Sequence, residues 1–255
     1  MNVSKSTLPI FVGLVYLFLY TPIMVLVLYS FNQGGFPDAW TGFSLHWYHD
    51  LWQSPEIWRA FYNSIIVASC SSFLSVTMSV CFVHGLRKYS SDWVGIFYSN
   101  TLIPDIVLAV GMLSLFAYLV VPLGLGTLIA GHTLLGLGFS MPIIKGRYDE
   151  LDKSLIEASL DLGASMKYTF LHVIVPFLYP ALLVAFLLTV IISFDDFLIS
   201  FFCSGSTVQT LSLYIFSMIR SGISPVVNAL STLLLVGSCV LLFVMMTFQK
   251  NLFKD

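Results

Sequence analysis

The sequence predicts an all-α, polytopic membrane protein of six transmembrane helices, and three observations predict it. Of 255 residues, 58% are apolar and only 9% are charged, against roughly 25% charged in a soluble domain. Mean hydropathy is +0.92. Charges are missing from residues 6–37, 60–86, 106–144, 168–194 and 221–249, windows that match or exceed the about 20 residues needed to cross a bilayer. A soluble core of this size cannot hide so much apolar surface, so a water-soluble enzyme, a disordered chain and a nucleic-acid binder are excluded. The net charge of −2 is too small to indicate a polyanionic partner.

The predicted spans are 8–31, 62–85, 94–120, 126–144, 172–194 and 226–248. The first is an anchor rather than a signal peptide, because Leu8 to Phe31 exceeds an h-region and no small-residue cleavage site follows. The long window 106–144 holds two helix segments, with Pro122, Gly124 and Gly126 supplying the turn between them. The uncharged stretch 197–219 contains the polar, turn-prone run Cys203 to Thr210, and reads as a re-entrant or interfacial segment within the outer loop 195–225. With six spans and both termini cytoplasmic, nine of the eleven basic residues fall inside and only Arg59 and Arg220 outside, as the positive-inside rule requires. The chain reads as a single membrane domain in the bacterial inner membrane, without a soluble module.

Chemistry-bearing patterns are few. Cys70, Cys81, Cys203 and Cys239 form no CxxC and have no His at ligand spacing, so neither a disulfide framework nor a metal site is expected. His46, His49, His84, His132 and His172 are scattered and read as span-end or packing residues. No P-loop is present, nor any paired nucleophile and base. The outer loop 32–61, with Trp40, Trp47, Tyr48, Trp52 and Trp58, reads either as an interfacial aromatic belt or as a docking surface or gate.

The longest cytoplasmic loop, 145–171, is the most specific segment. From Ser154 it reads as a short amphipathic helix, with Leu155, Ala158 and Leu162 on one face and Glu157 and Asp161 on another. Gly163 reads as its C-terminal stop, followed by a second helical turn. Glu157-Ala158-Ser159, Gly163 four residues later, then nine residues and Val173-Ile174-Val175-Pro176 resemble the EAA motif of the membrane subunits of bacterial ABC importers. Ser159 stands for the third Ala, Val173 for Ile and Val175 for Leu. The resemblance implies a type I ABC importer permease fold in which Glu157, Ala158, Ser159 and Gly163 form the coupling helix that docks on an ATPase. Further likeness, in Tyr20-Thr21-Pro22, Trp47-Tyr48, Pro104-Asp105-Ile106-Val107, Ser193-Phe194-Asp195-Asp196 and Ile223 to Leu230, is to the spermidine/putrescine importers of that family.

The candidate substrate pathway consists of Asp105, Asp195, Asp196 and Ser193, with Trp47 implied by the resemblance. Asp105 is expected mid-span behind a kink at Pro104. An intramembrane carboxylate is costly and is by default a functional candidate, although a packing carboxylate or a span-end pair beside water is the alternative. No Lys or Arg lies within the six spans, so the pathway suits an ammonium better than an anion. Phe194, Phe197, Phe201 and Phe202 flank the acidic pair and suit a cationic chain. The expected function is thus one half of the pore of an ATP-driven polyamine importer working by alternating access. The chain itself is expected to be non-catalytic and free of cofactors, with ATP and Mg bound by partner subunits. Expected partners are a second, homologous permease in a heterodimer, two ATPase subunits and a periplasmic or surface polyamine-binding protein, and no nucleic acid. The alternatives are an importer for thiamine, Fe(III) or a phosphonate, and a proton-coupled secondary transporter.

Overall fold

The computed structural model describes residues 7–35, 39–85, 102–222 and 225–252. The described residues are helical throughout their ordered elements and contain no strand; one isolated bridge joins Asn32 to Phe43. The helices are α1 (Thr7–Tyr29), α2 (His46–Gln53), α3 (Pro55–Gly85), α4 (Asp105–Tyr118), α5 (Leu125–Asp149), α6 (Lys153–Asp161), α7 (Met166–Thr169), α8 (Val175–Asp195), α9 (Leu198–Cys203), α10 (Leu211–Ser221) and α11 (Pro225–Leu252), with a π-helical turn, Phe170–Ile174, leading into α8. Four helical stretches are long and apolar enough to cross a membrane: Pro9–Tyr29, Pro55–Gly85, Leu125–Asp149 and Met166–Asp195. Asp105–Tyr118 and Pro225–Val240 are shorter apolar helices. The chain divides into two compact units, one made of 1–57 with 215–255 and the other of 58–214.

In the first unit α11 packs against α1 and α2. The turn after α1 is knitted by polar ties: the Asn32 carboxamide oxygen accepts the Thr41 N–H (2.9 Å), and Ser30 Oγ pairs with Tyr48 Oη (2.7 Å). Helix α1 exposes apolar side chains on all sides, Phe11, Leu14, Leu17 and Phe18 among them. Such a helix is stable against hydrocarbon and not against water.

The second unit buries polar residues between its helices and exposes many large apolar ones. Ser71, Ser75 and Ser79 lie one turn apart on one stripe of α3 and are all buried. Ser75 Oγ donates to the Thr133 carbonyl of α5 (2.9 Å), Ser79 Oγ pairs with Ser140 Oγ (2.7 Å), and Ser71 Oγ meets Ser193 Oγ of α8 at 3.4 Å. Lipid offers hydroxyls no partner, so they are satisfied between helices, where small side chains also let backbones approach closely. Two apolar clusters close the ends of this seam. One joins Val67, Ala109, Met112, Phe116, Leu128, Leu135, Ile199 and Cys203; the other joins Val80, Met141, Ile144, Ile156, Ile174 and Leu178.

Several expectations change. Residues 86–101, and with them the first part of the span expected at 94–120, lie outside the described residues. Asp105 is not mid-helix: Pro104 is the extended N-cap residue (φ −57°, ψ 134°) of α4, and Asp105 stands in its first turn. Proline, lacking an N–H, starts this helix rather than kinking it. Gly126 lies inside α5, so the turn is made by 119–124. Helix α5 runs on to Asp149, five residues beyond the expected end, because Lys145 pairs with Asp149 and Arg147 with Glu150 (2.6 Å) at helical spacing. The stretch 197–219 holds two helices of 6 and 11 residues, neither long enough to span.

Gly136 marks the tightest crossing, where a methyl group would overlap Ser75 Oγ and stand 3.1 Å from Ser75 Cβ. A Cβ on Gly126 meets nothing within 4 Å. Gly136→Ala should therefore lower the melting temperature of the purified protein by overpacking, at a cost of about 1–3 kcal/mol. Gly126→Ala should leave it unchanged or slightly raised, and thermal unfolding of both variants checks this.

Candidate functional site

The EAA segment forms a compact helix–turn–helix. Asp152 caps α6 by accepting the Ser154 N–H (2.9 Å), and its hydrogen bonds to Ser154 hold the carboxyl below the usual carboxylate range. At the other end the Gly163 N–H donates to the Leu160 carbonyl (2.9 Å) and the Ala164 N–H to the Ser159 carbonyl (3.1 Å). These are the paired bonds of a Schellman motif, whose terminal residue must be left-handed; Gly163 has φ +86°. The spacing of the motif thus has a local cause, since the residue four places after Ser159 is the one that must take positive φ. Ser159 Oγ also pairs with Thr169 Oγ1 (2.9 Å), and Ser165 Oγ accepts the Tyr168 N–H (3.3 Å) to cap α7. Helix α6 is thereby tied to α7, which runs through the π-helical turn into α8.

Helix α6 does not bury the Leu155, Ala158 and Leu162 face. Ile156 is buried in the cluster with Met141, Ile144, Ile174 and Leu178, and Ser159 and Leu160 lie beside it partly buried. Leu155 is 50% exposed and Leu162 89% exposed, with Ala158, Glu157 and Gly163 also open. The helix carries two apolar stripes, and periodicity alone does not rank them. Leu162 to Ser165, with Ser159 and Tyr168, line an open cavity of about 570 Å³.

At the far end of α8 the two adjacent carboxylates diverge. Asp195 is the last residue of α8 and is exposed. Asp196, in extended backbone (ψ 126°), turns its side chain inward to 7% exposure. There it accepts the Ser200 N–H (3.1 Å), capping α9, while its own carbonyl accepts Ser212 Oγ (2.7 Å). Asp105 is exposed in the first turn of α4, which packs against α9. The structure therefore gathers Asp105, Asp195, Asp196 and the buried Ser193 in one unit. Among the described residues neither Asp105 nor Asp195 is paired with a Lys or Arg. Aromatic rings adjoin them: Phe194 edge-on to Phe61 (6.0 Å), and Phe197 against Phe201 (5.5 Å). Trp47 belongs to the other unit, where its indole N–H donates to the Asn32 carbonyl (2.8 Å) and its ring meets His46 (4.1 Å).

His132, expected as a span-end or packing residue, joins these groups. It is 1% exposed in the middle of the acidic end of the seam, with Nδ1 2.9 Å from Ser193 Oγ and Nε2 3.3 Å from Ser200 Oγ and 3.7 Å from Asp196 Oδ2. The rule that singles out Asp105, an ionisable residue within a predicted span, applies equally to His132.

Residues 96–255 match the family described as binding-protein-dependent transport system inner membrane component. The chain belongs to this family. It is accordingly a multi-pass membrane protein and a transport subunit. It is 34% identical over 235 residues to the spermidine/putrescine transport system permease protein PotC of Haemophilus influenzae, covering 91% of each chain. It is 34% identical over 236 residues to PotC of Escherichia coli K12, covering 91% of this chain and 89% of the relative. The putrescine transport system permease protein PotI of the same strain is 31% identical over 229 residues, covering 86% and 82%. A chain from the crystal structure of a bacterial ABC transporter that imports the acidic polysaccharide alginate superposes with a TM-score of 0.73 at 14% identity, over 97% of this chain and 99% of that one. One from the inward-facing MetNI methionine ABC transporter gives 0.59 at 20%, over 78% and 97%. At these identities the structures establish the permease fold alone.

Proposed function

We propose that this chain is one half of the translocation pathway of an ATP-driven importer of polyamines, of the kind its PotC and PotI relatives are named for. The single observation that carries the reading is the set of one sign, Asp105, Asp195 and Asp196, gathered with Ser193 in one unit. A polyamine presents ammonium groups separated by methylene runs. Carboxylates bind the former through charge-assisted hydrogen bonds, and aromatic faces such as Phe194 and Phe201 accept cation and chain alike. An anionic substrate would call for Arg, Lys or a helix N-terminus. Asp105 and at least one of the adjacent pair contact the amines.

The chain hydrolyses nothing in this reading. It pairs with a homologous permease, receives substrate from a periplasmic or surface-tethered binding protein, and docks on two ATPase subunits that bind ATP and Mg. Both termini are cytoplasmic. The exposed stripe Leu155, Ala158 and Leu162, with Glu157, is the surface offered to the ATPase. Closure of the ATPase pair moves α6, and the buried Ile156 and the Ser159–Thr169 tie pass the motion to α8. That helix reaches about 30 Å to Asp195 at its far end.

Two tests follow on the complete complex in proteoliposomes. ATP-dependent uptake of labelled spermidine or putrescine should fall at least about 10-fold in Asp105→Asn and Asp195→Asn, with assembly intact, since each removes a charge-assisted hydrogen bond. Wild-type rates in both variants, or transport of thiamine, Fe(III) or a phosphonate in place of polyamines, would contradict the substrate assignment. Gly163→Leu should leave the subunit in the membrane and uncouple ATP hydrolysis from uptake, because φ +86° is strained for a branched side chain. Gly163→Asn, which tolerates that conformation better, should keep most of the coupling.

A further inference from the structure

We propose that His132 is a positioning residue of the pathway. With Asp196 and Ser193 it locks the short helix α9 against α5 and α8, leaving Asp195 and Asp105 as the carboxylates that meet the substrate. The division of labour rests on the polyamine reading; the lock does not.

The geometry is that of a three-helix junction built on one imidazole. His132 is on α5, Ser193 on α8 and Ser200 on α9, and the two ring nitrogens reach the two hydroxyls at 2.9 and 3.3 Å. With Nε2 protonated, the ring donates toward Ser200 and the carboxylate of Asp196, and Nδ1 accepts the Ser193 hydroxyl proton; the nearby carboxylate favours this tautomer. Asp196 in turn holds the first turn of α9 through the Ser200 N–H. The junction is braced on either side. One residue before His132, a Cβ on Gly131 would stand 2.6 Å from Ile199 Cγ2, so α5 and α9 touch there. One turn earlier Thr127 Oγ1 donates to the Cys203 carbonyl (2.8 Å).

A helix of six residues has too few internal hydrogen bonds to stand alone. Its placement therefore depends on tertiary contacts, namely the apolar cluster that holds Ile199 and Cys203 and these polar ties. The side chain of Asp196 is committed to them and is 7% exposed, whereas Asp195 is free to face outward. One carboxylate serves the scaffold and its neighbour serves the pathway. The polar groups of the junction are buried and satisfied by one another, so removing one leaves the rest unpaired.

Cys203, buried at the end of α9, reports whether the helix is seated. The test compares His132→Leu, His132→Gln, Asp195→Asn, Asp196→Asn and the double variant His132→Leu/Asp196→Asn in the assembled complex. Alkylation of Cys203 by a small maleimide is followed by peptide mass spectrometry, alongside uptake of spermidine and putrescine. In His132→Leu and Asp196→Asn, Cys203 should react at least about 10-fold faster than in wild type, through local opening. Uptake of both polyamines should fall together, and the double variant should be no worse than the more severe single one, as for residues acting as a unit. His132→Gln, which can still bridge two hydroxyls, should keep Cys203 shielded and at least about half of the uptake. Asp195→Asn should lose uptake with Cys203 still shielded, and should alter the ratio of spermidine to putrescine transport. Shielded Cys203 and wild-type uptake in His132→Leu would overturn the proposal. So would failure of Gln to rescue in a complex that still co-purifies with its ATPase, or exposure of Cys203 by Asp195→Asn. If the wild-type complex carries no polyamine, the substrate reading fails, and the alkylation series, which needs no substrate, still decides the lock.

Discussion

Hydroxyl groups in a bilayer have only protein to bond to, and the 58–214 unit is organised by that constraint. Ser71, Ser75 and Ser79 on α3, Thr133 and Ser140 on α5, and Ser193 on α8 meet one another across the helix contacts. Gly136 removes the side chain that would hold α3 and α5 apart. Close approach and hydrogen bonding reinforce each other here, since a shorter distance between backbones is what brings hydroxyl and carbonyl within 3 Å. Many large apolar side chains face outward, beside the two apolar clusters that are buried.

The same seam ends at both candidate sites. At one, Ser193 passes the network to His132, and His132 to Ser200 and Asp196. At the other, Met141, Ile144, Ile174 and Leu178 receive Ile156 from the EAA helix. A bundle that is close-packed and hydrogen-bonded between these points deforms little and transmits displacement, because packed cores shift between discrete arrangements rather than stretch.

Much of this was legible in the sequence, for physical reasons that can be named. Charge-free windows reveal helices in lipid because a charge there is costly, and the EAA spacing is legible because a Schellman turn needs its glycine at one fixed place. The end of α5 was misjudged because Lys145 and Asp149 were read as loop charges, although at i, i+4 they extend a helix. Which face of α6 is buried is not legible in the sequence, because hydrophobicity does not say which of two apolar stripes finds a partner; Ile156 and Leu160 do, while Leu155 and Leu162 stay exposed. Asp195 and Asp196 are indistinguishable as letters, and only the turn between α8 and α9 sends one outward and the other in. The serine stripe of α3 has a clear i, i+4 spacing, yet hydropathy windows count serine as nearly neutral and pass over it. His132 was discounted for lack of a sequence-adjacent partner, while its partners come from residues more than 60 positions away.

The central claim is that the unit from the EAA helix to the acidic pair moves as one body when ATP binds. Spin labels at Lys153 and Ser206, both exposed and both within 58–214, measure it directly by pulsed electron–electron resonance on the assembled complex. The account predicts that their separation is the same, within about 2 Å, in the nucleotide-free and ATP-trapped states. A change of several ångströms between those states would show that the seam yields, and would contradict the rigid coupling of ATPase docking to the substrate pathway.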